Sequence, residues 1–321
     1  MSAITLTCAA VAGSGCGDEE EAQPSGPQVR LLVTRDFGRE VLDDKRLSVD
    51  GHGTALSLLR EEHDIAVDEF GNVRSIDGQR AVFAPEELKT STRWNFIVNG
   101  VKNPTAPANL PVLEGDTVQF DFEDVLGSED IRGNVSAFPQ PFSAGIGGRR
   151  FPVTLVCADG YADACRRVRR VFTAAGVDTS GRPPADRLTQ RERRVQRATP
   201  TPRRARILVG SWAALADRPT IRRVERGPDY GGVFADFAQD GRSVRLLDAH
   251  SRPAHTMGAG TGLLAFARPG DATIAWLVIG VDRKGVARAA RAIDPETLDN
   301  AFSVAVSDEG VARLPLPASR D

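Results

Sequence analysis

Histidine and cysteine are scarce in this chain of 321 residues, with four of each, and tyrosine and methionine occur only twice each. The shortage limits the available chemistry. A protein metal centre needs three or four converging ligands. His250 and His255 stand five apart around Pro253, a spacing that places them together on neither a helix nor a strand. No metal site and no cofactor is expected. Long apolar runs are missing too: after the first residues nothing approaches the about 18 consecutive apolar residues of a membrane-spanning helix. The chain also lacks Gly-x-Ser-x-Gly, His-Glu-x-x-His and a catalytic cysteine signature. Its carboxylates show no recognisable paired spacing. The glycine-rich residues 258–262 lead into a strand-like run instead of a helix, and residues 143–148 lack the Lys-Ser/Thr of a phosphate loop. Nothing here points to an enzyme.

What is present falls into parts. Residues 29–125 hold 18 acidic against 11 basic side chains, a net of −7, and residues 151–321 hold 19 against 27, a net of +8. The near-neutral total therefore conceals two oppositely charged halves whose attraction favours docking, although salt screens all but close contacts. A chain of this length accommodates two cores.

Residues 1–11 are small and apolar, followed by Ala12-Gly13-Ser14-Gly15-Cys16-Gly17, four acidic residues and a Pro/Gly/Ser/Gln stretch. Small residues before a cysteine and a polar run after it resemble a bacterial lipoprotein signal. The resemblance implies that residues 1–28 are signal and tether, that Cys16 is the acylated residue, and that the chain is lipid-anchored at the extracytoplasmic face of the cell envelope. The bland alternative is a frayed cytosolic N-terminus. Cys157 and Cys165, eight residues apart, sit at a strand end and a helix start. That arrangement can bring two Cα atoms within disulfide reach. In an exported protein a disulfide is expected there; in a cytosolic one the two would be buried thiols.

In residues 29–125 the clearest segment is Trp94-Asn95-Phe96-Ile97-Val98-Asn99-Gly100, closed by Glu114-Gly115-Asp116 and a strand-like run over 117–122. Apolar and polar residues alternate up to Asn-Gly, a pair that accepts positive φ, and alternate again after Gly115-Asp116. This reads as a half-buried antiparallel sheet. Residues 29–34 read as an opening strand, and residues 53–60 as a short helix capped by Thr54. Trp-x-x-x-Val-Asn-Gly followed by Gly-Asp resembles the transcobalamin-like C-terminal domain family, a β-grasp-type module. The resemblance implies a non-catalytic module that captures a small cobalamin-like or sugar-like ligand. On that reading Trp94 offers a flat surface and an N–H donor, and Asn99, Lys102, Asn103 and Asn109 line the loop beside it. Against this stand plainer roles, Trp94 as a cap on the core and Asn99 as a turn residue.

Residues 126–150 read as a linker that packs through its aromatics. Residues 151–321 carry continuous apolar strands (153–156, 206–210, 274–280) followed by helical patterns (162–175, 284–293), which call for a sheet covered on both faces. Residues 182–206 hold nine arginines without an aromatic residue for base stacking. They are read as a solvated face or as a contact for anionic lipid headgroups or wall polymers, and not as a nucleic-acid site. The expected fold is α+β: an N-terminal β-grasp-like domain, then a separate α/β domain with a mixed sheet. The expected role is extracytoplasmic ligand binding, with a structural or adhesive envelope protein as the alternative. Its partners would be the small ligand, or an envelope protein or polymer, with the membrane reached through the lipid.

Overall fold

The computed structural model describes residues 28–49, 53–84, 90–124, 132–185, 189–190, 193, 202–270 and 273–317. The proposed signal with Cys16 and most of the arginine-rich stretch 182–206 lie outside the described residues.

The first half is a β-grasp-like domain. Its elements are β1 (Gln28–Arg35), β2 (Glu40–Ser48), α1 (Ala55–Glu62), β3 (Ile65–Val67), β4 (Val73–Ile76), β5 (Gln79–Arg80), β6 (Phe83–Ala84), β7 (Thr90–Val98), β8 (Val101–Lys102) and β9 (Thr117–Asp124). The main sheet runs β2-β1-β9-β7-β6, with β8 paired to β7, and a small sheet holds β3, β4 and β5. β1 and β9 are parallel neighbours at its centre, and the other pairs are antiparallel. The antiparallel pairing expected of the segments 94–98 and 117–122 is that of β7 with β9, and the parallel β1–β9 pair follows because α1 carries the chain back before β9 is laid down.

Alternation explains which side chains go where. Val29, Leu31 and Val33 of β1, Trp94, Phe96 and Val98 of β7, and Val118 and Phe120 of β9 form one core with Leu56, Leu58 and Leu59 of α1. The helix starts in a reciprocal cap: Ser57 N–H donates to Thr54 Oγ1 at 3.1 Å, and Thr54 N–H donates to Ser57 Oγ at 2.7 Å. The β7–β8 turn takes Asn99 at φ 54° and Gly100 at φ 73°, as an Asn-Gly hairpin requires.

The second half contains β10 (Val153–Cys157), α2 (Ala162–Ala174), β11 (Arg204–Ser211), α3 (Trp212–Leu215), α4 (Pro219–Val224), α5 (Pro228–Gly231), β12 (Ala235–Phe237), β13 (Val244–Leu247), β14 (Pro253–Met257), β15 (Gly262–Gly270), β16 (Thr273–Gly280), α6 (Arg283–Arg291), α7 (Pro295–Leu298), β17 (Ser303–Val306) and β18 (Val311–Leu314). The sheet order is β10-β11-β16-β15-β17-β18, parallel over the first three strands and antiparallel over the rest. Both faces are covered. Helices α2 and α6 lie over one face, where Trp276 meets Phe138, Phe142 and Phe172 at centroid distances of 5.5, 5.1 and 5.9 Å. The short helices α3 and α4 and the β12–β14 sheet cover the other. At the start of α6, Asp282 accepts from Gly285 N–H at 2.8 Å, and a Cβ on Gly285 would stand 2.0 Å from the Thr261 carbonyl oxygen. Only glycine lets helix and sheet approach so closely.

The halves share a core. Phe37, in the β1–β2 turn, is 4% exposed and meets Phe234 and Phe302 edge-on, each at 5.4 Å. Ile97 of β7 joins the same cluster, and Val101 joins the one on the opposite face of the second sheet. Residues 132–150 fasten the two together: Asn134 N–H donates to Gly100 O at 2.8 Å and Val135 N–H to Phe302 O at 3.2 Å. Burying a phenylalanine contributes roughly 2–3 kcal/mol, and each edge-on contact about 0.5–1.5 kcal/mol more. The ion pair between the halves, Arg30–Asp299 at 3.0 Å, is partly exposed and contributes about 0–1 kcal/mol. Apolar contact therefore outweighs charge attraction in holding the halves together. Phe37→Ala is expected to lower the unfolding free energy by about 3–5 kcal/mol and Asp299→Ala by less than about 1 kcal/mol, as measured by urea denaturation. Equal losses would refute the ranking.

Candidate functional site

The side of the β-grasp sheet away from α1 is polar but closed to water. On β9 the residues alternating with the core set are Gln119, Asp121 and Glu123, exposed by 1%, 0% and 0%. Beside them lie Thr34 of β1 (0%) and Asn95 of β7 (1%). The expectation of a half-buried sheet fails here because residues 132–150 and the second half cover the polar face. Gln119 is held from both sides: its amide donates to Thr34 Oγ1 at 3.0 Å, and Asn134 Nδ2 donates to its Oε1 at 2.9 Å.

Asp121 organises the centre. It accepts the Thr34 hydroxyl, Phe37 N–H at 3.0 Å and Gly38 N–H at 2.9 Å. These amides belong to a run of left-handed residues, Asp36, Phe37 and Gly38, at φ 55°, 59° and 74°. Asp tolerates that region, but a bulky aromatic residue there costs about 1–2 kcal/mol. Each of the two backbone hydrogen bonds contributes about 0.5–1.5 kcal/mol, so together they offset the strain and fix Phe37 in its aromatic socket. Gly38 has a second constraint, since a Cβ there would lie 2.2 Å from Asn300 O.

Two residues along, Glu123 takes Asn95 Nδ2 at 3.1 Å. Its Oε2 and Asn95 Oδ1 are buried acceptors without a donor among the described residues. A proton on Glu123 would supply that donor. Burial pushes the Asp121 carboxyl well above its ordinary range, and the neighbouring charge of Glu123 raises it further, against the Thr34 and Gly38 hydrogen bonds. Burial also raises Glu123, opposed chiefly by the positive charges of Arg93 and Lys102. The pair thus keeps a proton to higher pH than isolated carboxyls would. Because both groups titrate higher folded than unfolded, their contribution is complete below the ordinary carboxylate range and is lost as pH rises through the raised values. Chemically, the arrangement is a proton-retaining clamp between sheet and turn. Glu123→Gln is expected to remain folded and to lose less stability than the parent between pH 5 and pH 8, read from urea midpoints. Superimposable pH profiles would contradict a shared proton.

The structure scatters the residues predicted for ligand contact. Trp94 is 8% exposed, stacks obliquely on Phe122 at 5.1 Å, and donates its indole N–H to Gln79 O at 3.0 Å. Its ring belongs to the core, so contact between Trp94 and a ligand is corrected to a packing role. Asn99 is fully buried: its amide donates to Asp116 Oδ1 at 2.8 Å and Gly145 O at 2.9 Å, and its Oδ1 accepts Thr117 N–H at 2.8 Å. Asn103 is 8% exposed and accepts Thr105 N–H at 2.9 Å. These two brace loops instead of facing a ligand. Lys102 is half-buried with its charge toward Glu123, and Asn109 is exposed.

Cys157 and Cys165 form a disulfide, joining β10 to α2 with Cα atoms 6.2 Å apart. His250 lies 3.6 Å from Asp124 and His255 is on β14. Among the described residues no three His, Cys, Asp or Glu side chains are grouped to hold a metal, and no helix is long and apolar enough to cross a membrane. Sequence reading passed over Asp121 and Glu123. The available signal was the Gln119, Asp121, Glu123 alternation opposite Val118, Phe120 and Phe122. Alternating strands usually turn such a polar set to solvent, and here it is buried.

No known protein-family model matches the chain, and no characterised protein does either. Among solved structures, a crystal structure of a "putative metal binding protein" from Ruminococcus gnavus is similar over 30% of this chain and 96% of its own length, at 17% identity and a TM-score of 0.23. At those values the likeness says nothing about what this chain binds.

Proposed function

We propose that the protein is a non-catalytic binding protein of the cell envelope, held on the extracytoplasmic face of the membrane by lipid on Cys16. The observation that carries this reading is the Cys157–Cys165 disulfide. Such bonds persist in oxidising compartments and are rare in the cytosol, and the N-terminal pattern around Cys16 supplies the means of export. The β-grasp-like domain serves as a rigid mount whose central strands β7 and β9 are largely buried on both faces. A small cobalamin-like or sugar-like ligand would then meet it at the loop carrying Lys102 and Asn109.

A structural or adhesive role is the second reading, favoured by the β2 edge. That strand pairs only with β1 among the described residues and exposes Val41 by 44% and Leu42 by 43%. A free edge can accept a strand from another protein. Its charged residues Glu40, Asp43, Asp44, Lys45 and Arg46 work against indiscriminate pairing.

Expressed in a bacterium with its own N-terminus, the chain is expected to take up an alkyne fatty acid and sediment with membranes, both abolished in Cys16→Ser. An unlabelled soluble chain with free thiols at 157 and 165 would overturn the proposal. Replacing both Cys157 and Cys165 by Ala is expected to lower the unfolding free energy by about 2–3 kcal/mol, the chain-entropy value for so short a loop; urea denaturation under non-reducing conditions measures it.

A further inference from the structure

Some arginines in this molecule pair with carboxylates. Arg30 pairs with Asp44 and Asp299, Arg39 with Asp36, Arg245 with Asp236, Arg252 with Asp248, and Arg288 with Asp308. Others, Arg46, Arg60, Arg169 and Arg283 among them, have no carboxylate partner among the described residues, and three of the unpaired arginines share one hollow. Arg204 and Arg206 of β11 and Arg218, just before α4, border one cavity of about 250 Å³ at the β10 edge of the second sheet. None of the three side chains has an ion pair or hydrogen bond among the described residues. Asp217, next in sequence to Arg218, is turned to Arg222 at 3.2 Å instead.

The placement follows from the strand. Residues 204, 206 and 208 alternate onto the face covered by α3 and α4, while Ala205, Ile207 and Val209 enter the opposite core. The parallel register sets Thr154 of β10 beside Arg206. Thr154 and Thr220 bring hydroxyl groups to the same hollow, and Leu208 gives it an apolar floor. Three arginines bordering one concavity concentrate positive charge there. Guanidinium forks suit phosphate oxygens, which accept two parallel hydrogen bonds from each.

We infer that this hollow is a binding site for a phosphate ester, with Arg204, Arg206 and Arg218 holding the anion, the threonine hydroxyls donating to it, and the organic part resting on Leu208. The shared chemistry is a phosphate monoester or diester, from either a free metabolite or a phospholipid headgroup. The site shares no lining residue with the Lys102–Asn109 loop and does not depend on where the chain resides.

The test uses the full chain, with glycerol 3-phosphate titrated by calorimetry and vesicles of phosphatidylglycerol or phosphatidylcholine in a sedimentation assay. Saturable binding of glycerol 3-phosphate, weakened about tenfold or more by Arg206→Gln and by Arg218→Gln, is the expected result for a free ligand, that loss being one charge-assisted contact. Binding of phosphatidylglycerol but not phosphatidylcholine vesicles, lost in the same variants and without response to glycerol 3-phosphate, would identify the headgroup as the source. Arg169→Gln, on the exposed side of α2, should leave either result unchanged. Arg218 is exposed, so its variant keeps the test decisive if Arg206→Gln misfolds. Absence of binding to both probes, or binding unaltered by Arg218→Gln, overturns the inference.

Discussion

Asp121 receives the backbone N–H groups of Phe37 and Gly38 at the one place where the two halves of the chain meet through a strained turn. Three successive residues in the left-handed region would not hold by themselves. The buried carboxyl gives their amides a strong acceptor, and the aromatic contacts with Phe234 and Phe302 reward the resulting position of Phe37. Sheet, turn and second core are therefore mutually dependent. A loss at any of the three removes support from the other two.

That dependence gives residues 132–150 their meaning. The segment has little regular structure, yet its backbone bonds to Gly100 and Phe302, its Asn134 satisfies Gln119, and its Phe138 and Phe142 flank Trp276. It lines the polar face of one sheet and one apolar face of the other. A polar sheet face sealed in this way has each group either paired or carrying a cost. Glu123 and Asn95 are where pairing is incomplete, and a retained proton is the simplest remedy. The arginine-bordered hollow lies elsewhere, on β10 and β11, with Arg204 exposed and Arg206 half-buried.

Much of the fold was legible because it rests on local rules. Strand alternation in 94–98 and 117–122, the Thr54 cap, the Asn99-Gly100 turn and the continuous apolar run of β16 all appear where the pattern put them. The charged strand β2 carried no apolar period and was not foreseen, since its place depends on pairing with β1. Trp94 was legible as a strand residue but its partner was not: Gln79 O, 15 residues away, takes the N–H that a ligand was expected to use. The hollow bordered by Arg204, Arg206 and Arg218 was hidden because composition shows an arginine-rich stretch without showing which side chains lack a carboxylate.

The sequence by itself determined the two-part α+β plan, the turns and caps, and the two cysteines placed to pair, because these follow from backbone preference, side-chain period and short loops. Only the tertiary structure decided that the polar face of the first sheet is closed, that Asp121 and Glu123 share a dry site, and that three arginines converge without a counter-charge. Those outcomes depend on which distant segment covers which surface, and solvation, which sets the cost of every polar group, is fixed only when the chain has closed on itself.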